Sequence, residues 1–243
     1  MPRFFTETID ETKGIITGDD AKHIAKVLRM KAGEKLVACD CQGRDYDCVI
    51  SEVCDKQVEL TVEKVYPSET EPSVKVTLYQ AMPKSDKMEL IIQKAVELGV
   101  YEIIPVETKR CVVKLDDKKA KSKIARWQGI AEAAAKQSKR GIVPQVSDVV
   151  SFAQAIKRAS EMDLKLIPYE LAEGMDKSRE LLAQAAPGQD IAIFIGPEGG
   201  FEEREIEAAL ELGIRPITLG KRILRTETAG LAILAWLVYQ LEQ

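Results

Sequence analysis

The sequence predicts an α/β protein in two parts: a small strand-rich domain at residues 1–70 and a larger domain at residues 73–243 with a mostly parallel sheet. Three observations predict it. Short apolar runs separated by turn residues fill residues 1–65. After the boundary, strand patterns alternate with helical patterns, which is typical of a parallel sheet covered by helices. Between the two parts, Tyr66–Ser73 is rich in Pro, Ser and Glu, as linkers are.

The N-terminal part is predicted to be a small β-barrel with one helix. The helix, Asp19–Arg29, is expected to place Ile24, Val27 and Leu28 on one face. Composition alone does not single out one kind of barrel. Its strands are expected at Gly14–Thr17, Lys35–Cys39, Tyr46–Val53 and Val58–Val65.

The C-terminal part is predicted to alternate strands and helices. Its strands are expected at Val74–Tyr79, Ile103–Val106, Leu164–Pro168, Ile191–Ile195 and Ile217–Leu219. Its helices are expected at Met88–Leu98, Asp117–Ser138, Phe152–Ala159, Lys177–Ala185, Glu202–Leu212 and Ala229–Tyr239. The last helix is apolar on most faces, so we expect it to be buried in the core or in a subunit interface.

Two tight loops follow the last two predicted strands, and each leads into a helix. Gly196–Gly200 holds three glycines and a proline, and Lys221–Thr228 is polar and charged. Loops at strand ends that lead into helix N-termini suit a ligand crevice at the carboxyl edge of a sheet. The first loop is neither a P-loop nor a GxGxxG pattern, which removes support for ATP hydrolysis and dinucleotide binding. A plain strand–helix turn and helix capping by Thr226 explain the same residues without a ligand.

The paired motifs GPEGG at Gly196–Gly200 and LGKRILRTETA at Leu219–Ala229 resemble the SPOUT class of RNA methyltransferases, and within it the RsmE family. The resemblance implies a C-terminal domain with a trefoil knot around S-adenosylmethionine, preceded by a PUA-like RNA-binding β-barrel. It also implies a homodimer and methylation of N3 of a uridine in small-subunit ribosomal RNA. Other segments similar to that family are Arg3–Phe5, His23–Met30, Lys84–Gly99 and Ala131–Ser138.

The same resemblance implies which residues bind S-adenosylmethionine. Most lie in the two loops, and an earlier strand end contributes a few more, with Tyr169 and Glu170 beside them. The cofactor-binding residues implied are Leu166, Pro168, Gly196, Pro197, Glu198, Gly199, Gly200, Leu219, Gly220, Ile223, Leu224, Arg225, Thr226, Thr228 and Ala229.

Arg222, Arg225 and Glu198 are the candidate catalytic residues. Uracil N3 carries a proton whose pKa is well above neutrality, so methylation needs that proton removed or the charge on O2 and O4 stabilised. A guanidinium can donate two hydrogen bonds to such oxygens. A carboxylate, here Glu198 or Glu227, can accept the proton. The competing interpretations are solvated loop arginines and a Glu198 that only holds loop amides.

A basic stretch at Lys109–Arg140 is the electrostatic candidate for contact with an RNA backbone. It holds 11 basic and 3 acidic residues, although the net charge of the chain is −4. Trp127 lies within it and either stacks on a base or belongs to the core. His23, the only histidine, is assigned to packing or RNA contact rather than to base catalysis. The candidate RNA-binding residues are Arg3, Arg29, Lys109, Arg110, Arg126, Lys139 and Arg140.

Composition excludes several other classes of protein. The five cysteines are odd in number and contain no CxxC pair, so we expect free thiols and no metal site. No signal peptide is apparent, and the longest apolar run is shorter than the roughly 20 residues that span a bilayer. We therefore expect a cytoplasmic protein whose partner is the small ribosomal subunit.

Two other functions stay open on the sequence alone. One is a SPOUT methyltransferase that acts on transfer RNA or on a ribose 2′-oxygen. The other is a non-catalytic ribosome-assembly factor that binds RNA through the barrel and the basic stretch. Binding of S-adenosylmethionine would separate the second of these from an enzyme.

Overall fold

The computed structural model describes residues 1–169 and 174–241. The chain forms two compact units. The first comprises Met1–Glu71 together with Ala135–Val143, and the second comprises Pro72–Ala134 and Pro144–Gln243. The first unit is therefore made from two separate stretches of chain, and the second stretch begins within the last turn of the helix Asp117–Ser138.

The first unit is built on a curled five-stranded sheet. Its strands are β1 (Arg3–Phe5), β2 (Lys13–Thr17), β3 (Lys35–Cys39), β4 (Arg44–Val53) and β5 (Gln57–Pro67). Their order is β1-β3-β4-β5-β2, with β1 parallel to β3 and the other pairs antiparallel. Two register shifts in β4 add the bend that bulges give a strand. Within residues 1–169 and 174–241 no pairing joins β1 to β2, so the predicted barrel is an open half-barrel.

The helix of this unit differs from its predicted form. It begins as α1 (Gly18–Lys22) and continues as a π-helical segment, His23–Leu28. The wider π winding changes the direction in which side chains point. Ile24 is fully buried, as predicted, but Val27 and Leu28 are 66% and 42% exposed. Of the three residues predicted to lie on one face, only Ile24 is therefore buried.

The second unit is built on a seven-stranded parallel sheet. Its main order is β12-β10-β11-β6-β7-β8, and β9 also pairs with β7. The strands are β6 (Lys75–Ala81), β7 (Glu102–Glu107), β8 (Gln145–Val146), β9 (Val150–Ser151), β10 (Leu164–Pro168), β11 (Asp190–Ile195) and β12 (Arg215–Ile217). The helices are α2 (Lys87–Glu97), α3 (Asp117–Ser138), α4 (Phe152–Ala159), α5 (Met175–Leu182), α6 (Glu203–Glu211) and α7 (Thr226–Leu241). This arrangement confirms the predicted α/β class.

The core of the second unit lies between the sheet and its helices. Tyr79 of β6 and Phe194 of β11 stack with ring centroids 4.4 Å apart, because these residues are paired directly across the two strands. Phe152 of α4 packs edge-on against Phe194. Such burial of aromatic and aliphatic side chains fixes the central strands and therefore the loops at their ends.

The register of the strands brings four chain segments to one edge of the sheet. Ile195 at the end of β11 pairs with Gln80 of β6, and Pro168 at the end of β10 pairs with Ile217 of β12. Because all four strands are parallel, the segments after them lie at the same carboxyl edge. The last strand ends at Ile217 rather than at Leu219, so Leu219 lies in a loop. In the described residues, no helix is both long enough and apolar enough to cross a membrane.

Candidate active site

A cleft of about 890 Å³ opens at this carboxyl edge, a volume in the range of small-molecule sites. The ends of three strands and the loops after them form its walls: Gly196–Phe201 after β11, Thr218–Arg225 after β12, and Pro168 and Tyr169 at the end of β10. Side chains from elsewhere in the second unit complete it: Lys87, Arg110 and Met175. Apolar walls from Ile195, Ile217, Ile223 and Leu224 face these polar loops.

The cleft gathers most of the residues that the sequence analysis named. All predicted cofactor and catalytic residues line it except Leu166 and Thr228. Leu166 is fully buried within β10, and Thr228 is exposed in the first turn of α7. Glu170 lies outside the described residues. The loop geometry therefore places two motifs that are separated in sequence around one space.

The glycine loop has a backbone that restricts substitution. Gly200 has φ +67° and donates its N–H to the carbonyl of Pro197 at 2.9 Å, which closes a tight turn. Positive φ at this position favours glycine. Gly199 lies under Arg110, whose Nη1 donates to the Gly199 carbonyl at 2.9 Å. Arg110, predicted as an RNA contact, thus also forms part of the cleft wall.

The second loop is also held by specific contacts. Gly220 has φ +109°, and a Cβ added there would meet nothing within 4 Å. The N–H of Thr218 donates to Oγ of Ser178 at 2.9 Å, which attaches the loop to the buried face of α5. Open space beside a glycine that needs positive φ allows a ligand to approach the main chain.

A buried relay joins the two loops. Nε2 of Gln80 donates to Oγ1 of Thr226 at 3.0 Å, and Thr226 donates to the carbonyl of Gly196 at 2.6 Å. Gln80 is fully buried and Thr226 is 5% exposed. Such a relay fixes the start of α7 against the first residue of the glycine loop, because each buried polar group needs its partner.

Lys87 lies between two carboxylates at the edge of the cleft. Its Nζ is 2.9 Å from Oε1 of Glu198 and 3.2 Å from Oε2 of Glu227. Glu198 Oε1 also accepts the backbone N–H of Lys84 at 3.1 Å. Burial would raise the pKa of Glu198, but the hydrogen bonds from Lys87 and from backbone amides lower it below its ordinary value. The same Glu198 contact raises the pKa of Lys87.

The entrance of the cleft is basic. Lys221, Arg222 and Arg225 are exposed, and in the described part of the chain neither Lys221 nor Arg222 forms an ion pair. Together with Lys87 and Arg110 they give five basic side chains, against Glu198 as the one acid among the described lining residues. Such a concentration of positive charge attracts a phosphate backbone.

The candidate RNA-binding residues divide into exposed and enclosed groups. Arg140 is 3% exposed and its guanidinium contacts Glu71 at 2.6 Å, while Arg3 contacts Asp45 at 2.7 Å and the carbonyl of Arg140 at 2.8 Å. These contacts occupy much of both side chains inside the first unit. The exposed residues are Arg29, Lys109, Arg110, Arg126 and Lys139, of which Arg126 pairs with Glu89 and Arg110 contacts the Gly199 carbonyl.

Burial distinguishes the alternative roles that the sequence left open for Trp127 and His23. Trp127 is 2% exposed and therefore belongs to the core of the second unit, with Lys123 Nζ 5.6 Å from its ring. His23 is exposed on the π-helical segment, and its ring lies 6.2 Å from that of Phe4. Neither residue lines the cleft.

Sequence reasoning missed several contributors to the cleft. Lys87, Gln80 and Ser178 are separated from the two motifs by long stretches of chain, so no local pattern marks them. One signal was present: a lysine in the first turn of a helix is unusual, because cations are disfavoured there. In the residues described, no group of three or more His, Cys, Asp or Glu could hold a metal ion.

Two domain families match the chain. The RNA methyltransferase domain family matches residues 69–238, and the RNA methyltransferase PUA domain family matches residues 16–63. The first match covers more than half of the chain and includes every loop that lines the cleft.

Relatives and solved structures match over nearly the full length. A Bacillus subtilis protein named ribosomal RNA small subunit methyltransferase E is 40% identical, with 100% of this chain and 98% of the relative covered. A Neisseria gonorrhoeae structure of that name, bound to S-adenosyl methionine, is 32% identical with TM-score 0.82, covering 99% and 98%. A Legionella pneumophila methyltransferase solved with bound SAM is 32% identical with TM-score 0.82, covering 98% and 97%.

Proposed function

We propose, because the chain belongs to the ribosomal RNA small subunit methyltransferase E (RsmE) family, that it methylates N3 of a uridine in small-subunit ribosomal RNA with S-adenosylmethionine as methyl donor. The observation that carries the proposal is the cleft, in which both halves of the family motif meet. Two relatives of similar length and fold were solved with this cofactor bound.

The cleft fits S-adenosylmethionine. Its volume suits a nucleoside with an amino-acid tail, and Ile195, Ile217 and Leu224 provide the apolar wall that a base needs. A Cβ added at Gly200 or Gly220 would meet no atom within 4 Å, so a ligand can approach the main chain at both positions. We assign cofactor binding to these two loops and to Pro168. When bound, the cofactor would supply an electrophilic methyl group.

We assign charge stabilisation to Arg222 and Arg225. Both line the cleft and are exposed at its entrance, where a flipped-out uridine would enter. A guanidinium there would donate hydrogen bonds to O2 or O4 as N3 loses its proton to solvent water. This lowers the cost of the anionic base, and positioning the base by itself can supply about 7–11 kcal/mol of barrier reduction.

We assign a structural role to Glu198. A general base works best with a pKa near the operating pH, and the pKa of Glu198 is instead lowered. Its Oε1 already accepts from Lys84 and Lys87. Glu198 therefore anchors the glycine loop, which is one of the two roles that the sequence left open.

Three further parts of the proposal rest on the family resemblance. The C-terminal chain forms a trefoil knot, two chains form a homodimer, and the first unit binds RNA as a PUA-like domain. The exposed basic residues Arg29 and Lys139 of the first unit and Lys109 and Arg126 of the second unit are the proposed RNA contacts. The protein would act in the cytoplasm, where its ribosomal substrate is assembled.

The test is a methylation assay with defined substrates. Purified protein is incubated with isotopically labelled S-adenosylmethionine and either small subunits or deproteinised RNA from a strain that lacks this activity. Mass spectrometry of nuclease digests is expected to show labelled 3-methyluridine. Label on a ribose 2′-oxygen or in transfer RNA would replace the proposal with another SPOUT activity. Absence of cofactor binding by calorimetry would favour the assembly factor.

A further inference from the structure

Lys87 connects the two loops of the cleft through charge. Glu198 lies in the glycine loop and Glu227 lies in the first turn of α7, directly after the second loop. One ammonium group reaches both, at 2.9 Å and 3.2 Å. All three side chains are partly shielded, with exposed fractions of 27%, 27% and 16% for Lys87, Glu198 and Glu227.

The position of Lys87 is unfavourable for its own helix. It is the first residue of α2, where the helix dipole is positive and acidic residues are preferred. The N-cap residue, Asp86, makes no side-chain capping bond. Helix formation therefore does not explain a lysine here, whereas two carboxylates at hydrogen-bond distance do.

Among the described residues, Lys87 is the cation nearest to both carboxylates. Oε2 of Glu227 is buried, and although Lys87 Nζ is near, no donor among residues 1–169 and 174–241 has hydrogen-bond geometry toward it. Arg225 is a weak substitute, because its Nη1 lies 3.9 Å from Glu227 and its side chain is 80% exposed. Without Lys87, two like charges would face each other across the junction of the loops, and a buried charge without its partner is costly.

We propose that Lys87 is a positioning residue that holds the glycine loop and the start of α7 at the separation the bound cofactor requires. The inference rests on the proposed function, because it concerns the same cleft. Lys87 acts through the two carboxylates. Its contribution therefore concerns cofactor affinity more than the chemical step.

Four variants test this inference. Lys87→Met removes the charge and keeps the length, Lys87→Arg keeps a cation, and Glu227→Gln removes one of the two like charges. The double variant Lys87→Met with Glu227→Gln removes both. Lys94→Met is the matched control, because Lys94 is a lysine of the same helix that pairs only locally with Glu97. The readouts are the Kd for S-adenosylmethionine by calorimetry, KM and kcat, and thermal melting.

Lys87→Met is expected to raise Kd and KM for the cofactor about tenfold, the size of coupling seen between contacting charged groups. The kcat should change less than threefold, as expected when a lost interaction acts on binding. Lys87→Arg should restore most of the affinity. The double variant should bind better than Lys87→Met, because the repulsion is gone. Lys94→Met should match wild type.

Two results would overturn the inference: a Kd for Lys87→Met within twofold of wild type, or a double variant no better than Lys87→Met. If Lys87→Met does not fold, the double variant provides the test. Recovery of folding and cofactor binding in the double variant supports repulsion between the two carboxylates, and continued failure to fold opposes it. Failure of the proposed function has a different signature, because the wild-type protein itself would then bind no cofactor or methylate no ribosomal RNA.

Discussion

Oγ1 of Thr226 lies 2.6 Å from the carbonyl oxygen of Gly196, and this hydrogen bond joins residues 30 positions apart in the chain. The sequence offers helix capping as the simplest use of a threonine here. In the folded protein its hydroxyl instead donates across to the other loop and accepts from Gln80. The relay is therefore the polar counterpart of the charged bridge at Lys87.

Thr226→Val is expected to lower the free energy of unfolding by about 1–3 kcal/mol, because the Gly196 carbonyl loses this donor and Nε2 of Gln80 keeps only the Ala81 carbonyl as an acceptor. It should also weaken binding of S-adenosylmethionine, since both loops lose their shared anchor. Urea denaturation and calorimetry measure the two effects. Thr226→Ser keeps the hydroxyl and serves as the control, so a serine variant as unstable as the valine variant would contradict the relay.

Gly220→Ala should weaken cofactor binding while the fold survives. The residue has φ +109°, where an L side chain is strained by roughly 1–3 kcal/mol. Because the added Cβ meets no protein atom, relief of the strain must come from movement of the loop. Gly129→Ala is the matched control, because Gly129 lies in α3 with open space around it. This variant should have a free energy of unfolding about 0.5–1 kcal/mol higher than wild type.

Gly199→Val should disturb the cleft by displacing Arg110. A Cβ at Gly199 would lie 3.4 Å from Cβ of Arg110, which is ordinary contact, so Gly199→Ala should bind the cofactor nearly as wild type does. The two additional methyl groups of valine must occupy the space of the Arg110 stem or of the cleft. Calorimetry measures the Kd of both variants for S-adenosylmethionine. If Gly199→Val binds the cofactor as tightly as wild type does, this loop does not belong to the binding site.

Much of this architecture follows from local sequence. Helices α3 and α4 and strands β3 and β10 have their predicted bounds, because hydrophobic periodicity and glycine or proline at the ends define such elements. The strands β8 and β9 were not predicted, since two residues carry no periodic signal. The π-helical segment was missed for a related reason: nothing in HIAKVL distinguishes a π winding from an α winding.

The cleft was predictable only in part. Glycines and the paired motifs mark the two loops, whose main-chain geometry is a local property. Lys87 and Gln80 were not recognised because their roles depend on partners more than 110 positions away, Glu198 and Thr226. Arg3 and Arg140 were predicted to contact RNA because they are charged. In the folded protein both side chains instead bind protein partners.

Glu198→Gln separates the anchoring role from base catalysis through its pH dependence. The folded-state pKa of Glu198 is lowered, so its ionised form contributes stability above the unfolded-state pKa and loses it as pH falls through the folded value. The stability difference between wild type and Glu198→Gln should therefore be largest near neutral pH and vanish in acid. Denaturation at several pH values measures it, and a constant difference would contradict the ionic anchor.

Arg222→Ala should slow methylation while leaving cofactor affinity within about threefold of wild type. Removing one donor that stabilises a developing charge costs roughly 10²–10³ in kcat. Arg222 and Arg225 are exposed at the entrance of the cleft and have different surroundings, since Arg225 lies 3.9 Å from Glu227. Arg222 has more freedom to turn toward a uracil oxygen, and we expect the larger kcat loss there.

The control for this experiment is Arg204→Ala, because Arg204 is an exposed arginine on α6 that does not line the cleft. It should retain wild-type kcat at every salt concentration. If Arg222 only attracts RNA, its loss should raise KM for the subunit, with a weaker salt dependence and an unchanged kcat. A fall in kcat at saturating RNA instead places the guanidinium beside the reacting base.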